Sequence, residues 1–361
     1  MKLKPVNVSL GANSYRILFD DDWKNAYNDL KRFRTLIVTD SNVAKLHLEK
    51  WLKIFGDAEY IIFPAGEATK SLTKVEELYS FLIDKGFSRD TLIAALGGGV
   101  IGDFAGFVAA TYMRGVGFLQ IPTTLLAMVD ASVGGKVGID HPKGKNLIGA
   151  FYQPSAVFTD TDHLNTLPER EWICGIAEVI KYGLIKDRDI FTEISSLAEK
   201  DNNPIKWITP EIIRRCAEIK AGIVSKDEKE ISGERLVLNF GHTIGHALEA
   251  ESRYEHFRHG EAVAFGIAGA SFISKKMGLL GTAEFESIIS LLKKIPIPEI
   301  PKSITVKKLQ DSLLRDKKVK EGKVRFVLLT DIGKTVIVDT IDKSIFSETL
   351  DFSLDFVSRN Y

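Results

Sequence analysis

The chain has 361 residues, 45% of them hydrophobic and 27% charged, enough for two domains at roughly 150 residues each. Lys+Arg and Asp+Glu both total 48, so the formal net charge is zero; nucleic acid as a partner needs a clustered basic excess and is not expected. Two cysteines, Cys174 and Cys216, make no disulfide framework and suit a reducing compartment.

The opening "MKLKPVNVSL" has no apolar signal core, and a cytoplasmic location is expected. From there the chain alternates. "TLIVTD" at 35 is β-rich and leads into a helical stretch through Phe55; "YIIFPA" at 60 precedes helical spacing from 71 that stops at Gly86. "TLIAAL" at 91, a helix from about Val100 to Met113, "GFLQIP" at 117 and "AVFTDT" at 156 continue the pattern. These strands are continuous apolar runs, as required where helices cover both faces of a parallel sheet. Residues 1–160 therefore predict an α/β, doubly wound, Rossmann-like domain.

Beyond Asp160 helical periodicity dominates, over 169–187, 189–200, 209–228, 235–252, 259–278, 281–295 and 306–318. "VRFVLL" and "KTVIVDT" flank "TDIG" as a short hairpin, and a last helix follows Ser344. Residues 161–361 predict a mainly helical domain with that small hairpin. The longest nearly apolar run, "AVAFGIAGASFIS" at 262–274, is too short to span a bilayer and reads as a tightly packed core helix. No membrane partner is expected.

"LGGGVIGD" (96–103) follows a strand and opens a helix. Gly97, Gly99 and Gly102 fit G-x-G-x-x-G, a spacing that brings a pyrophosphate onto backbone N–H groups. The fingerprint is weak alone, since it sits in the third strand–helix unit and no acidic residue stands about 20 positions on. Twelve of the 29 glycines nevertheless fall between 97 and 149, which favours ligand-shaped loops over simple turns. "DASVGGKVGIDHPKGKN" (130–146) has apolar flanks, so it reads as a glycine-rich loop drawn inward. Its lysines would then need an anionic partner, phosphate being the simplest.

"ICGIAEVIKYGLI" (173–185) is apolar almost all round, hence buried, yet carries Glu178 and Lys181 three apart on one face. Buried charge must be paired or metal-bound. "LNFGHTIGHALE" (238–249) sets His242 and His246 four apart on one helix face, and "FRHGEAV" opens a buried helix with His259, near Glu261. Glu178, His242 and His259 form one candidate His₂Glu set of the catalytic zinc type. His246, and His256 just upstream of His259, stay open as other ligands. A metalloprotease is excluded, because "HTIGH" has no Glu between its histidines.

Taken in order, "GGGVIGDFAGFVAATYMRG", "IPTTLLAMVDASVGGKVGIDHPKGKNLIGAFYQP", "GIAEVIKYG", "LNFGHTIGHALE" and "HGEAV" resemble the 3-dehydroquinate synthase family from about Asp40 to Lys318. The resemblance implies an enzyme that turns DAHP (3-deoxy-D-arabino-heptulosonate 7-phosphate) into 3-dehydroquinate and phosphate. It does so by transient oxidation with NAD, β-elimination of phosphate, re-reduction and aldol closure. It implies Glu178, His242 and His259 as ligands of Zn²⁺ or Co²⁺, with His246 contacting substrate instead. It also implies Arg114, Lys136, Asn146, His246 and Lys317 on the phosphate or carboxylate. Lys181, Lys220, Glu230 and Arg235 would line the remaining polar site, with Asp130 at the nicotinamide end. Asp40, Asn42, Glu67, Lys70, Gly98, Gly99, Val100, Ile101, Gly102, Asp103, Thr123, Thr124, Lys145, His163, Leu164, Asn165 and Thr166 resemble the NAD contacts, which Asp130 and Lys136 adjoin. The expected partner is a small sugar acid phosphate and the expected assembly a homodimer.

Two departures stand out: "EKEISGERL" is one residue longer than the family spacing, and Met128 replaces a Gln. The rival readings are another sugar phosphate cyclase (2-deoxy-scyllo-inosose or valiolone type), a metal-dependent polyol dehydrogenase that releases NADH each turn, and a non-catalytic NAD-binding regulator. Lys136, Asn146 and Lys220 together favour a substrate bearing carboxylate as well as phosphate.

Overall fold

The computed structural model describes residues 3–20, 22–319 and 325–358, with side chains at all of these except 314–319. By internal contacts the chain divides into two compact units, one of Met1–Pro168 with Ile213–Lys229 and one of Glu169–Ile212 with Glu230–Tyr361. This differs from a single cut at residue 160, because a stretch inside the helical half belongs with the α/β half.

In the first unit the strands are β1 (Val6–Val8), β2 (Tyr15–Phe19), β3 (Arg34–Asp40), β4 (Glu59–Phe63), β5 (Thr91–Gly97), β6 (Gly117–Pro122), β7 (Lys136–His141), β8 (Gly144–Phe151) and β9 (Ala156–Thr159). Seven of them form one sheet in the order β1-β2-β9-β6-β5-β3-β4, parallel throughout except for the β1–β2 pair. The five strands expected from the apolar runs are β3, β4, β5, β6 and β9. Alternation along a strand sends successive side chains to opposite faces. Leu36, Val38, Ile93 and Ala95 enter one core with the helix Gly99–Thr111, while Ile37, Leu92, Ala94 and Leu96 enter another with Trp51 and Trp23. Both faces are covered at β3, β5, β6 and β9, which is why these strands read as unbroken apolar runs; edge strand β4 alternates, with Tyr60 and Ile62 exposed.

The glycine-rich segment after Asp130 is not a loop. β7 and β8 pair as an antiparallel hairpin with Gly138 opposite Gly149. A Cβ on Gly149 would sit 2.4 Å from the Val137 carbonyl oxygen, so these glycines permit close strand approach. Val137 and Ile139 are buried in the core, and Lys136 is exposed. The preceding apolar flank is buried, but the following one exposes Leu147 and Phe151, and Lys136 and Lys143 stay at the surface.

The second unit contains the helices Glu169–Ile185, Arg188–Lys200, His242–Glu251, His259–Lys276, Thr282–Leu292, Val306–Val319 and Lys343–Ser358, with the hairpin β10 (Phe326–Asp331) and β11 (Lys334–Val338). His259–Lys276 is buried along nearly its whole length and packs on His242–Glu251, Glu169–Ile185, Lys343–Ser358 and β10. The expected helix 235–252 is instead a 3₁₀ turn, Glu234–Asn239, then a break, then His242–Glu251. The break falls at Gly241, whose φ of 79° is left-handed and costs glycine little.

Small residues let these helices touch at the backbone. A Cβ on Gly266 would lie 1.9 Å from the Gly241 carbonyl oxygen, and one on Gly260 would lie 2.0 Å from that of Cys174. Neither neighbour is a flexible side chain. Gly266→Ala is therefore expected to cost at least the upper end of the about 1–3 kcal/mol typical of overpacking, visible as a lower thermal midpoint by circular dichroism. A wild-type midpoint would mean that the helices do not cross this closely.

Candidate functional site

The site in the second unit starts from a carboxylate with no solvent. Glu178 and Lys181 lie one turn apart on Glu169–Ile185, and both are essentially fully buried. The Lys181 ammonium contacts Glu178 Oε2, which leaves Oε1 facing two imidazoles. His242 Nε2 lies 3.4 Å and His259 Nε2 3.5 Å from that oxygen. One ligand atom from each of the three residues lies within 4.8 Å of the others. Ligand atoms on a tetrahedral zinc with ~2.0–2.1 Å bonds would be ~3.3 Å apart, so the set has the right chemistry and nearly the right spacing.

The tautomers agree. A carbonyl can only accept, so His242 Nδ1–H donates to Phe240 O at 3.2 Å and Nε2 carries the lone pair. Burial first, then the nearby Lys181 charge, pushes the His242 pKa well below its ordinary value, so this ring is neutral and ready to ligate. His259 places Nδ1 at 3.3 Å from Glu249 Oε1. Burial would lower its pKa, but the Glu178 and Glu249 carboxylates outweigh this and raise it to about 10. Without an ion the three-residue set holds a proton that a metal would displace.

His246 follows one turn after His242, its side chain 57% exposed, with Nε2 4.0 Å from Glu249 Oε2. The rings of His242 and His246 are 5.4 Å apart. His256 points elsewhere, with Nε2 2.9 Å from the Glu299 carbonyl oxygen, which favours His259 over it as the ligand. Glu261, one turn into the helix, accepts from Arg258 N at 2.7 Å and from Arg170 Nε and Nη2 at 2.6 and 2.8 Å. That bidentate pair fixes the helix start that carries His259. Arg235 is buried and sits 3.2 Å from Glu230, whose φ of 58° is left-handed. Lys317 lies outside the described side chains.

The first unit gathers the other sequence candidates. The chain reverses direction across the sheet between β3 and β5, and ligands of doubly wound sheets bind at the carboxyl ends beside such a reversal. Asp40 ends β3 and Gly97 ends β5. Asp40 Oδ1 accepts from Asn42 N and Val43 N at 2.8 and 3.1 Å. The helix Gly99–Thr111 opens at Gly98 with no side-chain cap, leaving its first-turn N–H groups of Gly99, Val100 and Ile101 suited to an anion. A Cβ on Gly98 would meet Thr124 Cγ2 at 3.0 Å, and one on Gly102 would meet Gln120 Oε1 at 2.7 Å. Thr123 Nα bonds the Gly97 carbonyl, while its buried hydroxyl has no hydrogen-bond partner among the described residues. Those two glycines are required by packing against Thr124 and Gln120; the uncapped helix start and the unpaired buried hydroxyl fit a dinucleotide.

Lys70, 4% exposed, bonds Asp103 Oδ2 at 2.8 Å and also contacts Asn146 Oδ1. Its pKa is raised although burial opposes this, because Asp103, Glu67 and Asp140 surround it. Lys145 lies 3.6 Å from Glu67. Asn146, expected on the substrate, is thus held with the dinucleotide candidates. Lys220 donates to the Asp130 carbonyl at 2.8 Å and lies 2.9 Å from its carboxylate; residues 213–229 bring it into this unit. Lys136 and Arg114 are exposed, and Arg114 has a left-handed φ of 64°.

In the "HLNT" stretch, Leu164 is buried and Asn165 exposed. Thr166 Oγ1 lies 2.9 Å from His47 Nε2. The His163 ring is a core element. Trp51 Nε1–H donates to its Nε2 at 3.0 Å and its Nδ1–H donates to Pro122 O at 3.2 Å. Burial brings its pKa down to about 4, so it is neutral.

Residue-level reasoning missed Glu249, although it closes "LNFGHTIGHALE" and stands three after His246 and seven after His242, on the same helix face. It also left unassigned the role of Arg170 in clamping Glu261.

Family models described as 3-dehydroquinate synthase N-terminal and 3-dehydroquinate synthase C-terminal match residues 60–174 and 175–319. A relative from Caldanaerobacter subterraneus subsp. tengcongensis, named 3-dehydroquinate synthase, is 45% identical over 353 residues, covering 94% of this chain and 98% of its own. Among solved structures, 2-epi-5-epi-valiolone synthase from Streptomyces hygroscopicus subsp. jinggangensis with NAD⁺ and Zn²⁺ bound has a TM-score of 0.85 at 26% identity, covering 99% of both chains. A 2-deoxy-scyllo-inosose synthase complexed with carbaglucose-6-phosphate, NAD⁺ and Co²⁺ has a TM-score of 0.83 at 27% identity, covering 96% of this chain and 99% of its own.

The raised His259 pKa fixes the direction of a metal–proton linkage. Its imidazole is protonated below about 10 and must be neutral to ligate, so metal affinity rises with pH across the range below that value. At about pH 8 zinc uptake should release about one proton from this residue, read from the buffer dependence of the binding enthalpy. A binding enthalpy independent of the buffer's ionisation heat would overturn the charged state of His259. His256→Ala should leave zinc stoichiometry unchanged.

Proposed function

This chain belongs to the 3-dehydroquinate synthase family, and from that premise we propose how its residues convert DAHP to 3-dehydroquinate and inorganic phosphate. The activity is that of a carbon–oxygen lyase, dependent on NAD and a divalent metal, in the shikimate route to the aromatic amino acids. The observation that carries the reading is the convergence of Glu178 Oε1 with the Nε2 atoms of His242 and His259 in a chain whose two halves both match the family.

When bound, NAD⁺ supplies a hydride acceptor and Zn²⁺ or Co²⁺ supplies a Lewis acid for adjacent substrate oxygens. Glu178, His242 and His259 would hold the ion. Lys181 keeps Glu178 Oε2 occupied, so that Oε1 is the ligating oxygen. The Gly98–Asp103 helix start, Thr123, Thr124, Asp40 and the Glu67–Lys70–Lys145 group would take the dinucleotide, with Asp130 oriented by Lys220 at its reactive end. Arg114, Lys136 and His246 would meet the phosphate and carboxylate, and Glu230 and Arg235 would order the polar groups around them. We assign Asn146 to holding Lys70, from its contact with that ammonium.

The finer assembly and location are also part of this reading. A homodimer is supported by edge strand β4, which exposes Tyr60 and Ile62 at 48% and 44%, as an unpaired apolar edge requires cover. The cytoplasm is supported by two cysteines that are free and buried.

The test offers DAHP with substoichiometric NAD⁺. Many turnovers of phosphate should appear per NAD⁺ with no growth of NADH absorbance, because the reaction has no net redox change. NADH rising in step with product would make the chain a dehydrogenase. Preference for a sugar phosphate lacking the carboxylate would make it one of the other cyclases. His246→Ala should keep stoichiometric metal while phosphate release slows by about one to two decades, the cost of a lost charge-assisted hydrogen bond at about 1.5–3 kcal/mol. Metal loss in that variant would make His246 a ligand.

A further inference from the structure

The geometry points to Glu249 as a positioning residue that sets the metal affinity of the site through His259. The inference rests on Glu178, His242 and His259 being the metal ligands. The Glu249 carboxylate faces two histidines: Oε1 lies 3.3 Å from His259 Nδ1, within hydrogen-bond reach, and Oε2 lies 4.0 Å from His246 Nε2, beyond it. The Glu249 side chain is only 12% exposed, so the bond to His259 is little screened by water.

An imidazole has one proton to place when neutral, and a carboxylate at Nδ1 keeps it there. Nε2 is then left as a lone pair aimed at Glu178 Oε1, 3.5 Å away. The charge behind the ring also raises its basicity as a ligand. The two histidine ligands thus differ. His242 is oriented by a backbone carbonyl, that of Phe240, which no substitution removes. His259 is oriented by a side chain, and its contribution can be tuned.

Zinc affinity measured against a competing chelator at fixed pH tests this without reference to turnover. Glu249→Met keeps the length of the side chain but removes the acceptor, and should weaken zinc binding by about 10–100-fold, as loss of a partner behind a ligand does. Glu249→Gln retains an oxygen that can accept from Nδ1–H and should lose distinctly less, with a Co²⁺ absorption spectrum close to that of wild type. Should Glu249→Met fail to fold, Glu249→Ala carries the same expectation. Affinity within about twofold of wild type in the variants lacking the acceptor would overturn the role of Glu249. So would equal losses in the Gln and Met variants, which would indicate shape rather than hydrogen bonding. If instead the wild-type protein binds no stoichiometric zinc, or Glu178→Gln binds it unchanged, the metal set itself is wrong.

Discussion

A carboxylate with no solvent exposure is the constraint on which the helical unit depends. Glu178 sits on a helix whose residues from Trp172 to Ile185 are all buried, where an uncompensated charge costs several kcal/mol. Its two oxygens are treated differently. Oε2 takes the Lys181 ammonium from its own helix, and Oε1 takes two imidazoles from two others. A buried ion pair alone is weak evidence of stabilisation, since apolar residues of the same volume often serve as well. Two histidines converging on the spare oxygen give the arrangement a chemical purpose that packing does not.

Bringing those histidines to one oxygen demands helices closer than ordinary side chains permit. Gly266 against Gly241, and Gly260 against Cys174, remove the Cβ atoms that would hold the backbones apart. The left-handed Gly241 ends the preceding turn and aims His242 from the first position of a new helix. Arg170 and Glu261 pin the start of the facing helix, where His259 is also the first residue. Both histidine ligands therefore stand at helix starts, the first set by the left-handed Gly241 and the second by the contact of Glu261 with Arg258 N.

Much of this was legible in the sequence because burial leaves a plain mark. An all-round apolar helix interrupted by Glu178 and Lys181 cannot be a surface element, and four of the five apolar strands are buried on both faces, edge strand β4 being the exception. What escaped has physical reasons too. β7 and β8 are rich in glycine, which obscures the period-two pattern, and only the pairing of Gly138 with Gly149 shows why glycine is needed. Gly241 sits inside helical periodicity, since the apolar spacing survives a break of two residues. The division of the chain was hardest to read. Residues 213–229 lie within a helical run, yet they belong with the α/β unit, where Lys220 reaches Asp130. Periodicity reports local structure and is silent on which core a helix joins.

Glu249 was passed over for a related reason. A glutamate on a partly exposed helix face looks like solubility, and nothing in spacing tells a solvated carboxylate from one bonded to an imidazole. What separates them is the partner's chemistry. His259 as a ligand needs an acceptor for its Nδ1–H and a lone pair at Nε2, and a Glu249 carboxylate oxygen lies 3.3 Å from Nδ1. Ligand residues can be found from the types that bind metals. The groups behind them are found only once the unused nitrogen of each histidine is followed to its acceptor, to a main-chain carbonyl at His242 and to Glu249 at His259.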